Sequence, residues 1–180
     1  RDRLKYFVTY YIPTKKNSNF PTSKFYELWK CTFYSQNYNM KNFVHKDFEF
    51  VNLFFLENCE SHLQCGIIDF QSAFKGFIGW DLISLLENPR INFTRDYNDK
   101  LIEYFYDKTS IIENFNTFRE QYYVLSLARQ TRLLGRWRKL LSTNYDNKYL
   151  NYFKITKSRT IATLNNIKNY ELRSMYEKYI

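Results

Sequence analysis

Residues 45–52 read HKDFEFVN, which places His45, Asp47 and Asn52 at the spacing H-x-D-x-x-x-x-N. Seventeen positions after Asn52 comes Asp69, inside IIDFQ at residues 67–71. Between them two short apolar runs, at 53–56 and 66–70, flank a polar stretch at 57–64. That pattern predicts a small β-hairpin. A polar loop entered from Phe43 and Val44, followed by such a hairpin, carries Asp47, Asn52 and Asp69 toward one point.

Working outward, the chain changes character on either side. Residues 4–12, LKYFVTYYI, are aromatic and β-branched and fit either a strand or the last turns of a helix. Residues 13–21 are polar and read as a loop. Thr22 or Ser23 is expected to cap a helix through about Tyr34, with Phe25, Leu28, Trp29 and Phe33 at helical spacing. After the hairpin the chain reads as helices only. One covers 80–87 and is ended by Pro89, and a second covers 97–108. One long helix or two shorter ones lie within 110–141, and two more lie within 147–179. Only 4 Gly and 3 Pro among 180 residues support that helix-rich reading. The predicted class is α+β, mostly helical.

The chemistry that needs these groups in this order is phosphoryl transfer of the kinase type. A carboxylate must accept the proton of an attacking hydroxyl, the role assigned to Asp47. An amide and a second carboxylate must hold Mg²⁺ on the ATP phosphates, the roles assigned to Asn52 and Asp69. His45 is expected to brace the loop through hydrogen bonds. Asp81, at a predicted helix start, is expected at least to cap that helix.

The stretches HKDFEFVNLFFLEN (45–58) and GIIDFQSAFKGFIGWDLISLLENPR (66–90) resemble the aminoglycoside phosphotransferase family. Within it they look most like the bacterial kinases of N-acetylmuramate and N-acetylglucosamine, which act at the anomeric position. That branch shows H-R-D-[FY]-H-x-x-N, then I-D-F-Q-D-A, then G-P-x-x-Y-D-L-x-S-L-L. A later Q-R-x-x-x-x-L-G stretch is matched by LARQTRLLG (127–135) at Arg129 and Gly135, and YYIPT (10–14) resembles that branch's approach to the catalytic loop. The resemblance covers roughly residues 4–155. It implies the C-terminal catalytic lobe of a protein-kinase-like fold, with a catalytic core at about 41–90 and a helical, acceptor-side region at about 91–180. It also implies that Asp81 tethers the catalytic loop, that Lys46 supports it, and that ATP and Mg²⁺ are the cofactors. The acceptor expected is a small molecule, most naturally an amino sugar. An aminoglycoside, choline or homoserine is the alternative within the family. Three departures stand out: Lys46 for Arg, which loses the planar fork, Glu49 for His, and Ser72 for Asp. Glu49 and Ser72 keep an inactive pseudokinase among the alternatives.

No G-x-G-x-x-G loop and no strand lysine of the V-A-I-K kind precede His45. The expectation is a single lobe over 1–180 whose ATP-clamping N-terminal lobe is missing, leaving these residues inactive alone and exposing apolar surface near residues 6–11.

A net charge of +9 favours anionic partners without choosing among them. Arg129, Arg132, Arg136 and Lys139 share one predicted helix face, opposite Tyr123, Leu127, Leu134 and Trp137. The stripe reads either as a solvated face or as a route by which Arg129 reaches the acceptor. A basic, aromatic-rich nucleic-acid module is the reading from another class, but no nucleic-acid motif is present and nucleic acid is not expected. Cys59, His62 and Cys65 lack the paired second set of a zinc site, and three cysteines make no disulfide framework. No apolar run reaches the length of a membrane span, and no signal peptide pattern is visible. A cytoplasmic enzyme without membrane contact is expected.

Overall fold

With so few helix breakers the chain runs in long helices, and the computed structural model is α+β and mostly helical. It describes residues 2–15, 19–91, 93–111, 113–143 and 146–180. Two units divide it, Tyr38–Ile102 and a helical unit formed by Arg1–Asn37 with Glu103–Ile180. The elements are α1 (Asp2–Tyr6), α2 (Thr22–Tyr34), β1 (Asn42–Val44), β2 (Leu53–Phe55), β3 (Cys65–Ile67), β4 (Phe74–Gly76), α3 (Trp80–Leu86), α4 (Arg95–Lys108), α5 (Phe115–Thr143), α6 (Asn147–Leu164) and α7 (Tyr170–Tyr179). None of the described helices is long and apolar enough to cross a membrane.

In the helical unit, α5 packs against α6 and against the first segment of the chain. That segment is helical, resolving the ambiguity of residues 4–12. α1 continues as a π turn over Phe7–Tyr11 and a 3-10 turn over Ile12–Thr14. In the wider i→i+5 turn, side chains four apart lie nearly one above the other. Phe7 accordingly stacks on Tyr11 at 4.8 Å, and Tyr6 meets Tyr10 at 5.6 Å. Phe7, Tyr11 and Ile12 are buried, whereas Tyr6 is exposed and Tyr10 half-buried, so the apolar surface anticipated around residues 6–11 is core on one face only. Phe25 of α2 and Tyr176 of α7 close on Phe7 at 5.6 and 5.7 Å. α2 starts where the sequence predicts, but neither Thr22 nor Ser23 is its cap. Pro21 takes that position, without a side-chain bond. Phe33 is 38% exposed, and Thr32 turns inward instead, its hydroxyl satisfied by donating to the Leu28 carbonyl at 2.8 Å.

Polar groups in this core are joined in order. Trp29 Nε1 donates to the Tyr176 hydroxyl at 3.1 Å, and Tyr176 meets Thr131 Oγ1. Thr131 Oγ1 itself donates to the Leu127 carbonyl at 2.7 Å, so Tyr176 must be the donor to Thr131. Gln130 donates to Ser126 within α5 and to Thr163 of α6, and Trp137 Nε1 donates across to Thr156 Oγ1 of α6. The basic stripe is not a uniformly solvated face: Arg129 is buried, Arg132 and Lys139 are half-buried and only Arg136 is exposed.

The unit Tyr38–Ile102 holds all four strands. β2 and β3 form the predicted hairpin, pairing Leu53 with Ile67 and Phe55 with Cys65. A second antiparallel pair, β1 with β4, joins Asn42 to Gly76 and Val44 to Phe74. The sequence reading misses it, because three-residue strands thirty positions apart leave no periodic signal. Val44, Phe77, Ile83, Leu86 and Ile102 are the core. Asn98 donates to the Leu86 carbonyl at the end of α3, and Arg95 pairs at 2.9 Å with the buried Glu87. The hairpin itself is apolar and exposed on both faces, with Phe54 and Ile68 toward one side and Phe55 and Ile67 toward the other.

Candidate functional site

Each strand pair delivers one part of the site. β1 ends at Val44, and the chain turns at once through Lys46, whose φ of 78° is left-handed. A non-glycine residue holds that conformation only when its surroundings fix it. The fixing group is Asp81, in the first turn of α3. Its Oδ2 accepts from the His45 N–H at 2.7 Å and its Oδ1 from the Lys46 N–H at 2.9 Å. Burial raises the Asp81 pKa above the ordinary carboxylate value, and the negative charge of Asp47 adds to the rise. The two N–H donors and His45 oppose it.

The other end of the loop is pinned from within. Asn52 donates through Nδ2 to the Asp47 carbonyl at 2.8 Å, and its backbone N–H donates to the Glu49 carbonyl at 2.9 Å. Glu49 forms an ion pair with Arg90. Glu49 is therefore a partnered side chain. The Ile68 N–H donates to the Asn52 carbonyl at 3.1 Å, carrying the ladder to the residue before Asp69. Asp69 is itself left-handed, at φ 69° and ψ 35°, just ahead of the 3-10 turn Phe70–Ser72.

His45 ties the two arms together. Its ring is buried, with Nε2 at 2.9 Å from the Ile68 carbonyl. A carbonyl only accepts, so Nε2 carries the proton and donates. With Nε2–H engaged, the ring is a strut. Asp47 and Asp69 are both exposed, so their carboxylates project from a frame whose supporting groups, His45 and Asp81, are within the unit.

The donor set suits a hard divalent cation. Asn52 spends its amide N–H on the Asp47 carbonyl, which leaves Oδ1 as an oxygen ligand without a hydrogen-bond partner among the described residues. Asp69 offers carboxylate oxygens. Oxygen ligands of this kind match Mg²⁺ when phosphates complete its shell. For a nucleotide the fit is partial, because the four glycines, at 66, 76, 79 and 135, build no phosphate-covering loop.

Arg129 belongs to the helical unit, buried on α5. Cys59 and Cys65 are free and exposed, the His62 side chain lies outside the described residues, and no group of three His, Cys, Asp or Glu side chains able to hold a metal occurs among those described. Sequence reading misses Arg90 as the partner of Glu49 and the Ile68 carbonyl as the seat of His45. A main-chain acceptor leaves no residue signal. Arg90, by contrast, closes the stretch 66–90 and was open to pairing with the unexpected acid.

No protein-family model matches the chain, and no curated protein matches it.

Proposed function

We propose that the protein is an ATP- and Mg²⁺-dependent phosphotransferase acting on a hydroxyl of a small molecule, an amino sugar such as N-acetylmuramate or N-acetylglucosamine before the other acceptors. The observation that carries this reading is the double hydrogen bond from Asp81 to the N–H groups of His45 and Lys46. It holds a left-handed turn immediately before an exposed aspartate, Asp47, while the His45 ring reaches to the residue before a second exposed aspartate, Asp69. A loop needing only to connect β1 to β2 has no use for that bracing, whereas positioning is most of what phosphoryl transfer asks of a protein.

In this reading Asp47 accepts the proton of the acceptor hydroxyl. Asn52 Oδ1 and the Asp69 carboxylate would hold Mg²⁺, which when bound neutralises charge on the transferring phosphoryl group. Lys46, whose backbone is fixed by Asp81, supports the loop. The resemblance of residues 45–90 to sugar kinases supports the acceptor class. The test is ADP release by the full-length protein with Mg-ATP and each of N-acetylmuramate, N-acetylglucosamine, kanamycin, choline and homoserine. Turnover with an amino sugar that falls about 10²–10⁴-fold in Asp47→Asn is expected. Absence of turnover with every acceptor, or unchanged turnover in Asp47→Asn, would overturn it.

A further inference from the structure

We propose that Lys15, Arg138 and Lys157, in the helical unit, form a binding site for a small soluble ligand bearing clustered phosphate groups. The three cations are brought together by two buried rings. Lys15 follows the 3-10 turn Ile12–Thr14, and its ammonium stands 5.1 Å from the centre of the Tyr11 ring. Tyr11 meets Phe153 of α6 at 6.1 Å. The Arg138 guanidinium, from α5, lies over Phe153 at 4.3 Å. Lys157 stands four residues beyond Phe153 on α6 and so shares its face.

Among the described residues no acidic side chain pairs with these three cations. The one hydrogen bond of the Lys15 ammonium among the described residues goes to the Ile180 backbone oxygen at 2.8 Å, which also receives the Tyr11 hydroxyl at 3.3 Å. Two of its three N–H groups remain. The Lys15 pKa is lowered by burial first and then by the positive charges of Lys157 and Arg138. The Arg138 guanidinium is held over the Phe153 ring, and its Nε makes no hydrogen bond among the described residues. A guanidinium carries five N–H donors, and a ring contact of this kind does not use them as hydrogen bonds to oxygen. All three cations are half-buried, so they are held in place instead of waving in solvent.

A dianion or polyanion is the ligand that relieves this repulsion, and phosphate supplies the charge with acceptors on several sides. The rings themselves cannot stack a base, since Tyr11 is 0% and Phe153 7% exposed. This separates the site from a single-strand nucleic-acid surface, where exposed aromatics are the platform.

The experiment titrates the full-length protein with inorganic pyrophosphate by calorimetry, in magnesium-free buffer at fixed ionic strength. Saturable 1:1 binding is expected, weakened about tenfold by Lys15→Gln and by Lys157→Gln. The exposed-site variant Lys154→Gln should bind as wild type, and so should Asp69→Ala. Arg138→Gln could unpack Phe153, so Arg138→Lys, which keeps charge and stem but loses the fork, provides the third reading and should also weaken binding. Absence of saturable binding would overturn the proposal. So would equal losses in Lys154→Gln, loss in Asp69→Ala, or a single-stranded RNA that displaces pyrophosphate through these residues.

Discussion

The ring of His45 donates from Nε2 to the carbonyl of Ile68 at 2.9 Å, joining the loop that carries Asp47 to the strand end that carries Asp69. Under the proposed chemistry His45 is a positioning residue, touching neither substrate nor phosphate. His45→Phe keeps a ring in the buried seat and removes the donor. Activity should fall about 10–100-fold, the usual cost of losing a group that orients a metal ligand. The Mg²⁺ concentration for half-maximal rate should rise, while the acceptor KM stays near that of wild type. A change in acceptor KM at unaltered Mg²⁺ dependence would remove His45 from this role.

Asp81 supports the same loop from the other side. In Asp81→Ala the N–H groups of His45 and Lys46 lose their acceptors, and His45 is buried. Leaving a buried donor unpaired costs about 1–3 kcal/mol. Chemical denaturation should show a loss of that order. Asp81→Asn should recover only part of it, because an amide presents one oxygen and turns a donor toward the other N–H. Equal stability of Asp81→Ala and wild type would mean that the loop holds its left-handed turn unaided.

Much of this site was legible because it is local. The spacing of His45, Asp47 and Asn52, the hairpin, and the helix start at Trp80 all follow from residues within a few positions of each other. What sequence could not supply were partners far along the chain: the β1–β4 pairing, the Ile68 carbonyl under His45, and Arg90 against Glu49. The expected cap at Thr22 or Ser23 failed because Pro21, with φ fixed near the required value, already sets the entry to α2. The expectation of exposed aromatics near residues 6–11 holds for Tyr6 but not for Phe7 and Tyr11, because periodicity alone cannot say that a segment has α5 to lie on.

Gly135 is where that packing is closest. A Cβ there would stand 2.1 Å from the carbonyl carbon and oxygen of Tyr6 and 2.5 Å from the Phe7 nitrogen. These are backbone atoms and cannot rotate aside. Gly135→Ala gains about 1 kcal/mol in helix propensity, but overpacking a tight contact costs about 1–3 kcal/mol and sometimes more. With main chain on the far side, the upper part of that range applies and the net effect is destabilising. Thermal denaturation should show a lowered Tm for Gly135→Ala, whereas an unchanged or raised Tm would mean that α1 can move off α5 at no cost.

Buried Tyr11 and Tyr176 contribute to an alkaline limit on the stability of the helical unit. Burial pushes the Tyr11 phenol up to about 12, against a small opposing effect of Arg138, and burial raises Tyr176 further still. An unfolded tyrosine titrates near 10. Above that pH the unfolded chain gives up phenolic protons that the folded chain retains, so unfolding releases protons and stability falls as pH rises. The contribution is fully present below about pH 10 and is lost as pH climbs through the folded values. The urea midpoint should therefore decline steeply between pH 10 and 12. Tyr11→Phe removes one titrating group together with its bond to the Ile180 oxygen. It should start from a lower midpoint at pH 8 and decline less steeply above pH 10. A slope identical to wild type would show that Tyr11 ionises as readily in the folded chain as in the unfolded one, and that its buried seat against Phe7 and Phe153 does not hold at high pH.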